Sequence, residues 1–194
     1  MFEIPISVNV KEQSFGIRKK GDFRMVLDCF AALNDLELEK EERLIAALEI
    51  FYEDINDVET VLSFDEDTLE ALVKGMYNFF NCGNSNGVGN RTKHNLVDWE
   101  QDQQLICSAV NNVAKKEIRL EEYIHWWTFM GYYLAVGESP LSTIISIRHK
   151  IVEGKKLEKY EREFREENPQ YFEWKSKTLE EQEAQNAIME MWNS

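Results

Sequence analysis

Residues 22–34, DFRMVLDCFAALN, decide the fold class. Asp22 is a residue type that caps helix N-termini, and Phe23, Val26, Leu27, Phe30 and Leu33 follow at the three-and-four spacing of one helical face. The pattern predicts a helix ending near Asn34. Upstream, Ile6, Val8 and Val10 alternate with polar residues, Lys11-Glu12-Gln13 reads as a turn, and Phe15 and Ile17 resume the alternation. That is a small β-hairpin, which is marginal alone in water and has to pack its apolar face on a helix.

Downstream, apolar stripes of the same period follow one another. The acidic stretch Asp35 to Glu42 is expected to open a second helix, buried through Leu44, Ile45, Leu48, Phe51 and Tyr52. Asp65 begins a third helix carrying Leu69, Leu72, Val73, Met76, Phe79 and Phe80, and Gly83 ends it. The stretch NCGNSNGVGNRTKHN, residues 81–95, is too poor in apolar side chains to offset the entropy of ordering it and reads as a mobile loop. A fourth helix is predicted over 98–113. A fifth over 120–136 has Glu121-Glu122 in its first turn and is apolar nearly all round, as a central helix would be.

Ser139-Pro140 starts a sixth helix, with Ile144, Ile145, Ile147, Ile151 and Val152 as its apolar residues before Gly154. The block KKLEKYEREFREEN reads as an exposed seventh helix, with Glu158–Arg162 and Glu161–Arg165 at pairing distance and a narrow seam of Leu157, Tyr160 and Phe164. Asn168-Pro169 stops it. Beyond Trp174, Thr178 and Glu181 form a capping box ahead of Ala184, Ala187, Ile188, Met191 and Trp192 at helical spacing. The expectation is a mainly α protein: one helical-bundle domain over 1–174 with a short N-terminal β-hairpin, and an extended amphipathic C-terminal helix over 175–194.

The chain has 194 residues, 43% of them hydrophobic and 12% aromatic, enough for a well-filled core. Its formal charge of −14 would repel a phosphate backbone, which argues against nucleic-acid partners. Neither a signal peptide nor an apolar run long enough to span a membrane is read in the chain. Cys29, Cys82 and Cys107 are widely spaced and read as buried reduced thiols, as in a reducing cytoplasm.

No catalytic, cofactor-binding or metal residues are assigned. His94 falls in the Gly/Asn-rich loop, His125 reads as a core-edge residue and His149 as a helix-end cation, with no nucleophile at a diagnostic spacing. Glu122 to His125 is a lone Glu-x-x-His, whereas a di-iron bundle uses that motif twice. CGNSNGVGN lacks the Gly-Lys-Ser/Thr ending of a phosphate loop. Of the adjacent Trp126 and Trp127, one is expected to fill the core and the other to face a neighbouring helix. Partner contacts are expected instead at Leu157, Tyr160 and Phe164 and at Ile188, Met191 and Trp192, the last three suiting helix-in-groove recognition.

The hairpin leading into Gly21-Asp22-Phe23-Arg24, LNDLELEKEERLIAALEIFY, Cys82-Gly83 before the loop, WEQDQQLICSAV, EEYIHWWTFMGYYL, ISIRHKI and EREFREEN together resemble the siphophage gene-product-fifteen family of phages and prophages of Gram-positive bacteria. The resemblance spans about Ser7 to Trp174. It implies a non-enzymatic tail assembly chaperone that binds the tape-measure protein, with the tail-tube protein as a second candidate partner. It also implies weak homo-oligomers, residence in the host bacterial cytoplasm and absence from the mature virion. The alternative is a structural virion component such as a head–tail connector or tail completion protein.

Overall fold

A computed structural model describes residues 3–84 and 96–173. The described chain is mostly helical, with a short N-terminal antiparallel hairpin, as the sequence predicts. It forms two compact units: residues 3–84 with Tyr123–Phe129, and residues 96–122 with 130–173.

In the first unit, strands β1 (Ser7–Val10) and β2 (Gln13–Gly16) pair with Val8 opposite Phe15 and Val10 opposite Gln13. The turn is therefore Lys11-Glu12 alone, with Lys11 at φ +54°, and Gln13 belongs to the ladder. Helices α1 (Phe23–Leu33), α2 (Lys40–Phe51), α3 (Val58–Leu62) and α4 (Glu66–Phe80) follow. The hairpin lies on α4, where a Cβ on Gly75 would stand 2.4 Å from Val8 Cγ1, so only glycine permits this approach.

Helix starts follow the side chains that can accept backbone N–H groups. Asp22, Asp57 and Asp65 cap α1, α3 and α4, accepting from Arg24, Thr60 and Thr68 respectively. The acidic stretch from Asp35 mostly precedes α2 rather than opening it, because Glu39 and Glu42 form the capping box. The one-turn α3 carries too short a stripe to stand out in the sequence. Beyond α4, Cys82 and Gly83 take positive φ, as the helix stop required.

The predicted helix over 120–136 is the largest departure. Ile118–Leu120 is a 3-10 turn, residues 121–125 are non-helical, and α6 covers only Trp126–Leu134. The cause lies in α1: Phe23 N–H donates to Ile124 O at 2.9 Å, and Ile124 N–H donates to Asp22 Oδ2 at 3.0 Å. Backbone groups held in this way cannot join a helical ladder. The Trp126 and Trp127 indoles donate to the carbonyls of Phe80 and Phe79 at 2.9 Å each, closing the C-terminal end of α4. Phe129 stacks on Phe23 with ring centroids 4.6 Å apart. Helix α6 is not central along its length: Trp126 and Phe129 are buried, whereas Leu134 is 75% exposed.

The second unit contains α5 (Gln103–Ala114), α7 (Pro140–Val152) and α8 (Lys159–Glu167). Helix α5 begins five residues later than predicted, because Asp98 turns back to accept the N–H groups of Glu100 and Gln101. Ser139 and Pro140 start α7 as read from the sequence. In α8 the expected Glu161–Arg165 pair is absent: Glu161 is buried and accepts from Lys150 Nζ at 2.6 Å, and Arg162 donates to Leu157 O. The unit centres on Arg148, 2% exposed, whose guanidinium grips Asp102 at 2.6 and 2.9 Å and also donates to the carbonyls of Leu96 and Tyr171.

Asp22→Ala removes a cap and leaves the buried Ile124 N–H unpaired, so denaturant unfolding should show a loss of about 2–4 kcal/mol. Arg148→Met strands a buried carboxylate and should cost about 3–5 kcal/mol. Adding Asp102→Leu should recover part of that loss but not the share due to the Leu96 and Tyr171 carbonyls. Equal stability of the single and double variants would contradict the assignment.

Candidate functional site

The residues that most suggested chemistry are committed to structure. His125 is 2% exposed. Its Nε2 lies 3.0 Å from Pro5 O, and its Nδ1 accepts from Trp127 N–H at 3.1 Å, which assigns the neutral ring with the proton on Nε2. Glu122 is exposed and lies in the non-helical stretch before α6, so Glu122 and His125 share no helical face. His149 stands 3.4 Å from Glu153, half-exposed. His94 and residues 85–95 of the predicted loop lie outside the described residues.

The thiols are free. Cys29 and Cys107 are buried as expected; Cys82 is only half-buried because it sits in the turn after α4. Burial raises the pKa of all three, Cys82 to about 11, which keeps them as poor nucleophiles. Among the described residues no three His, Cys, Asp or Glu side chains gather as a metal site would need. An open cavity is lined by Arg18, Lys19, Asp28, Glu49 and Asn56 among others. Arg18 is spent there on the carbonyls of Glu49, Tyr52 and Ile55, capping α2.

The surface residues singled out in the sequence separate into two kinds. Phe164 is half-buried edge-on against Phe172, so much of it is used within the chain. Leu157 is half-buried and Tyr160 is 63% exposed. Ile188, Met191 and Trp192 lie outside the described residues. Two residues counted toward the interior of the sixth helix, Ile151 and Val152, are each 37% exposed. Their place in the last turn before Gly154, where the chain leaves the helix, is the signal that could have flagged them. The buried Glu161 carboxylate, held below its usual pKa by Lys150, joins the end of α7 to the start of α8. In the chain, Ile151, Val152, Leu157 and Tyr160 lie between the two partners of that ion pair.

Burial lowers the pKa of His125, so the neutral ring favours the folded state. This contribution is constant above the unfolded-state value of about 6.5 and is lost as pH falls through and below it. An NMR titration of the ring should give a midpoint under about 6.5; a midpoint at or above that value would contradict the buried neutral assignment.

No curated protein and no solved structure matches the chain. The family described as Bacteriophage Gp15 protein matches residues 2–172, which takes in the capped start at Asp22, the Tyr123–Phe129 segment and the Arg148–Asp102 centre. The chain belongs to the Bacteriophage Gp15 protein family and is a phage structural or assembly protein.

Proposed function

We propose that this chain is a tail assembly chaperone that binds the tape-measure protein and keeps it soluble while the tail tube forms. Family membership carries the reading, since it places the chain among phage structural and assembly proteins. Two physical features support it. A formal charge of −14 keeps a protein and its cargo dispersed. Apolar side chains left at the surface around the start of α8, the exposed Tyr160 and the half-buried Leu157 just before the helix, suit docking of a long amphipathic helix. The chaperone acts in the host bacterial cytoplasm, is not an enzyme, and stays out of the finished virion.

Co-expression tests the proposal directly. The tape-measure protein should move from the pellet to the soluble fraction when this chain is present and should co-purify with it. Mass spectrometry of purified virions should find no stoichiometric amount of the chain. Its presence there, with no effect on tape-measure solubility, would favour a head–tail connector or completion protein instead.

A further inference from the structure

One ring holds the start of α6 and the segment ahead of β1 together. His125 stands immediately before α6, and its Nδ1 accepts the N–H of Trp127, the second residue of that helix, at 3.1 Å. This is the bond by which an N-cap side chain holds a helix start, and the His125 carbonyl accepts from Phe129 N–H at 3.0 Å. On its other side the ring donates from Nε2 to Pro5 O at 3.0 Å. Both contacts need the neutral ring, because a carbonyl only accepts and a backbone N–H only donates.

Acid acts on this cap in a way it does not act on the aspartate caps of α1, α3 and α4. A protonated aspartate keeps an acceptor oxygen. A second proton on His125 has to sit on Nδ1, where it aims a donor at the Trp127 N–H and sets a positive charge at the positive end of α6. The ring is 2% exposed and edge-on to Phe79 with centroids 5.3 Å apart, and Gly21 stands so close to Nε2 that a Cβ there would lie 3.0 Å away. Of the charged groups around it, Asp22 at the start of α1 favours the second proton, but that carboxylate is paired with Arg24 at 3.0 Å. Lys19 and Lys20 in the turn before Gly21 are exposed, as is Glu122, and the Tyr123 hydroxyl is engaged on Lys20 O. Residues 4–7 carry no titratable side chain.

We propose that His125 is an acid-sensitive latch: a second proton on its ring shifts the start of α6 toward release from the end of α4, while α1, α2 and α4 stay packed on one another. The helices have contacts of their own for this. Phe30 and Phe51 pack edge-on against Phe80 with centroids 5.0 and 5.6 Å apart, and Phe51 lies 5.3 Å from Phe79, none of which passes through residues 123–129. On release the Trp126 and Trp127 indoles leave the Phe80 and Phe79 carbonyls that they cap, and Phe129 leaves the Phe23 ring. The latch is a property of the fold and does not rest on the tape-measure reading.

Hydrogen exchange of the full chain, followed residue by residue by NMR and corrected for the intrinsic rate at each pH, tests it. Between about pH 7.5 and about pH 5.5 the protection of the Trp127 amide should fall several-fold and up to about tenfold, because the released histidine takes up a proton below about 6.5 and the latched one resists it. At each pH that amide should be at least about tenfold less protected than the Met76 amide inside α4, the mark of an opening smaller than global unfolding. His125→Asn offers an acceptor oxygen to the same N–H and cannot titrate, so its Trp127 protection should not change over this range. His125→Gln keeps a donor for Pro5 O without the acceptor at Nδ1, and should leave the Trp127 amide weakly protected at both pH values. If the variants do not fold, the unaltered chain still decides. Trp127 protection that is independent of pH in the unaltered chain would overturn the proposal, as would protection equal to that of Met76. So would a pH dependence that survives in His125→Asn.

Discussion

The Asp22 carboxylate is the constraint on which the first unit depends. It is 4% exposed and accepts the N–H of Arg24, the Arg24 guanidinium and the N–H of Ile124, a residue 102 positions away. A buried carboxylate is tolerable only when donors replace its lost water, and here those donors come from both ends of the structure that it joins. The neighbouring residues work around it. Gly21, at φ +76°, has no room for a Cβ beside Phe79 and His125, while Arg24 lies over the Phe23 ring.

The second unit meets the same difficulty from the opposite sign. Arg148 brings a planar donor set into the interior, and Asp102 answers with both oxygens at once. The remaining donors go to backbone carbonyls at Leu96 and Tyr171, so one side chain closes a segment before α5 and another after α8. Such a pair adds little net stability over apolar packing, but it fixes which segments are neighbours.

Several helix starts and stops were read correctly because the physics that sets them is local. The caps at Asp22, Asp65 and Ser139 and the stop at Asn168-Pro169 depend on residues within a turn of each other, and they were legible. The late starts of α2 and α5 have local causes, the Glu39–Glu42 capping box and the turn at Asp98, whereas the larger misreadings depend on distant partners. Nothing near residues 121–125 shows that Phe23 and Asp22 claim their backbone, and Glu161 looked like a surface carboxylate because Lys150 lies on another helix. The same limit applies to the surface: Leu157 and Tyr160 stood out as a seam, whereas the exposure of Ile151 and Val152 follows from where α7 ends.

The closure between Asp22 and Ile124 also sets an order of events during synthesis. Helices α1 to α4 are complete once Phe80 has been made, yet the segment that covers Phe23, caps the end of α4 and satisfies Asp22 starts at Tyr123, 43 residues later (123 − 80). At about 5–20 residues per second the ribosome takes roughly 2–9 s to deliver it. For that interval the nascent chain carries an unfinished aromatic wall, and Asp22 is still hydrated. The first half of the protein is thus a waiting state, finished only when the translated chain returns to its own beginning.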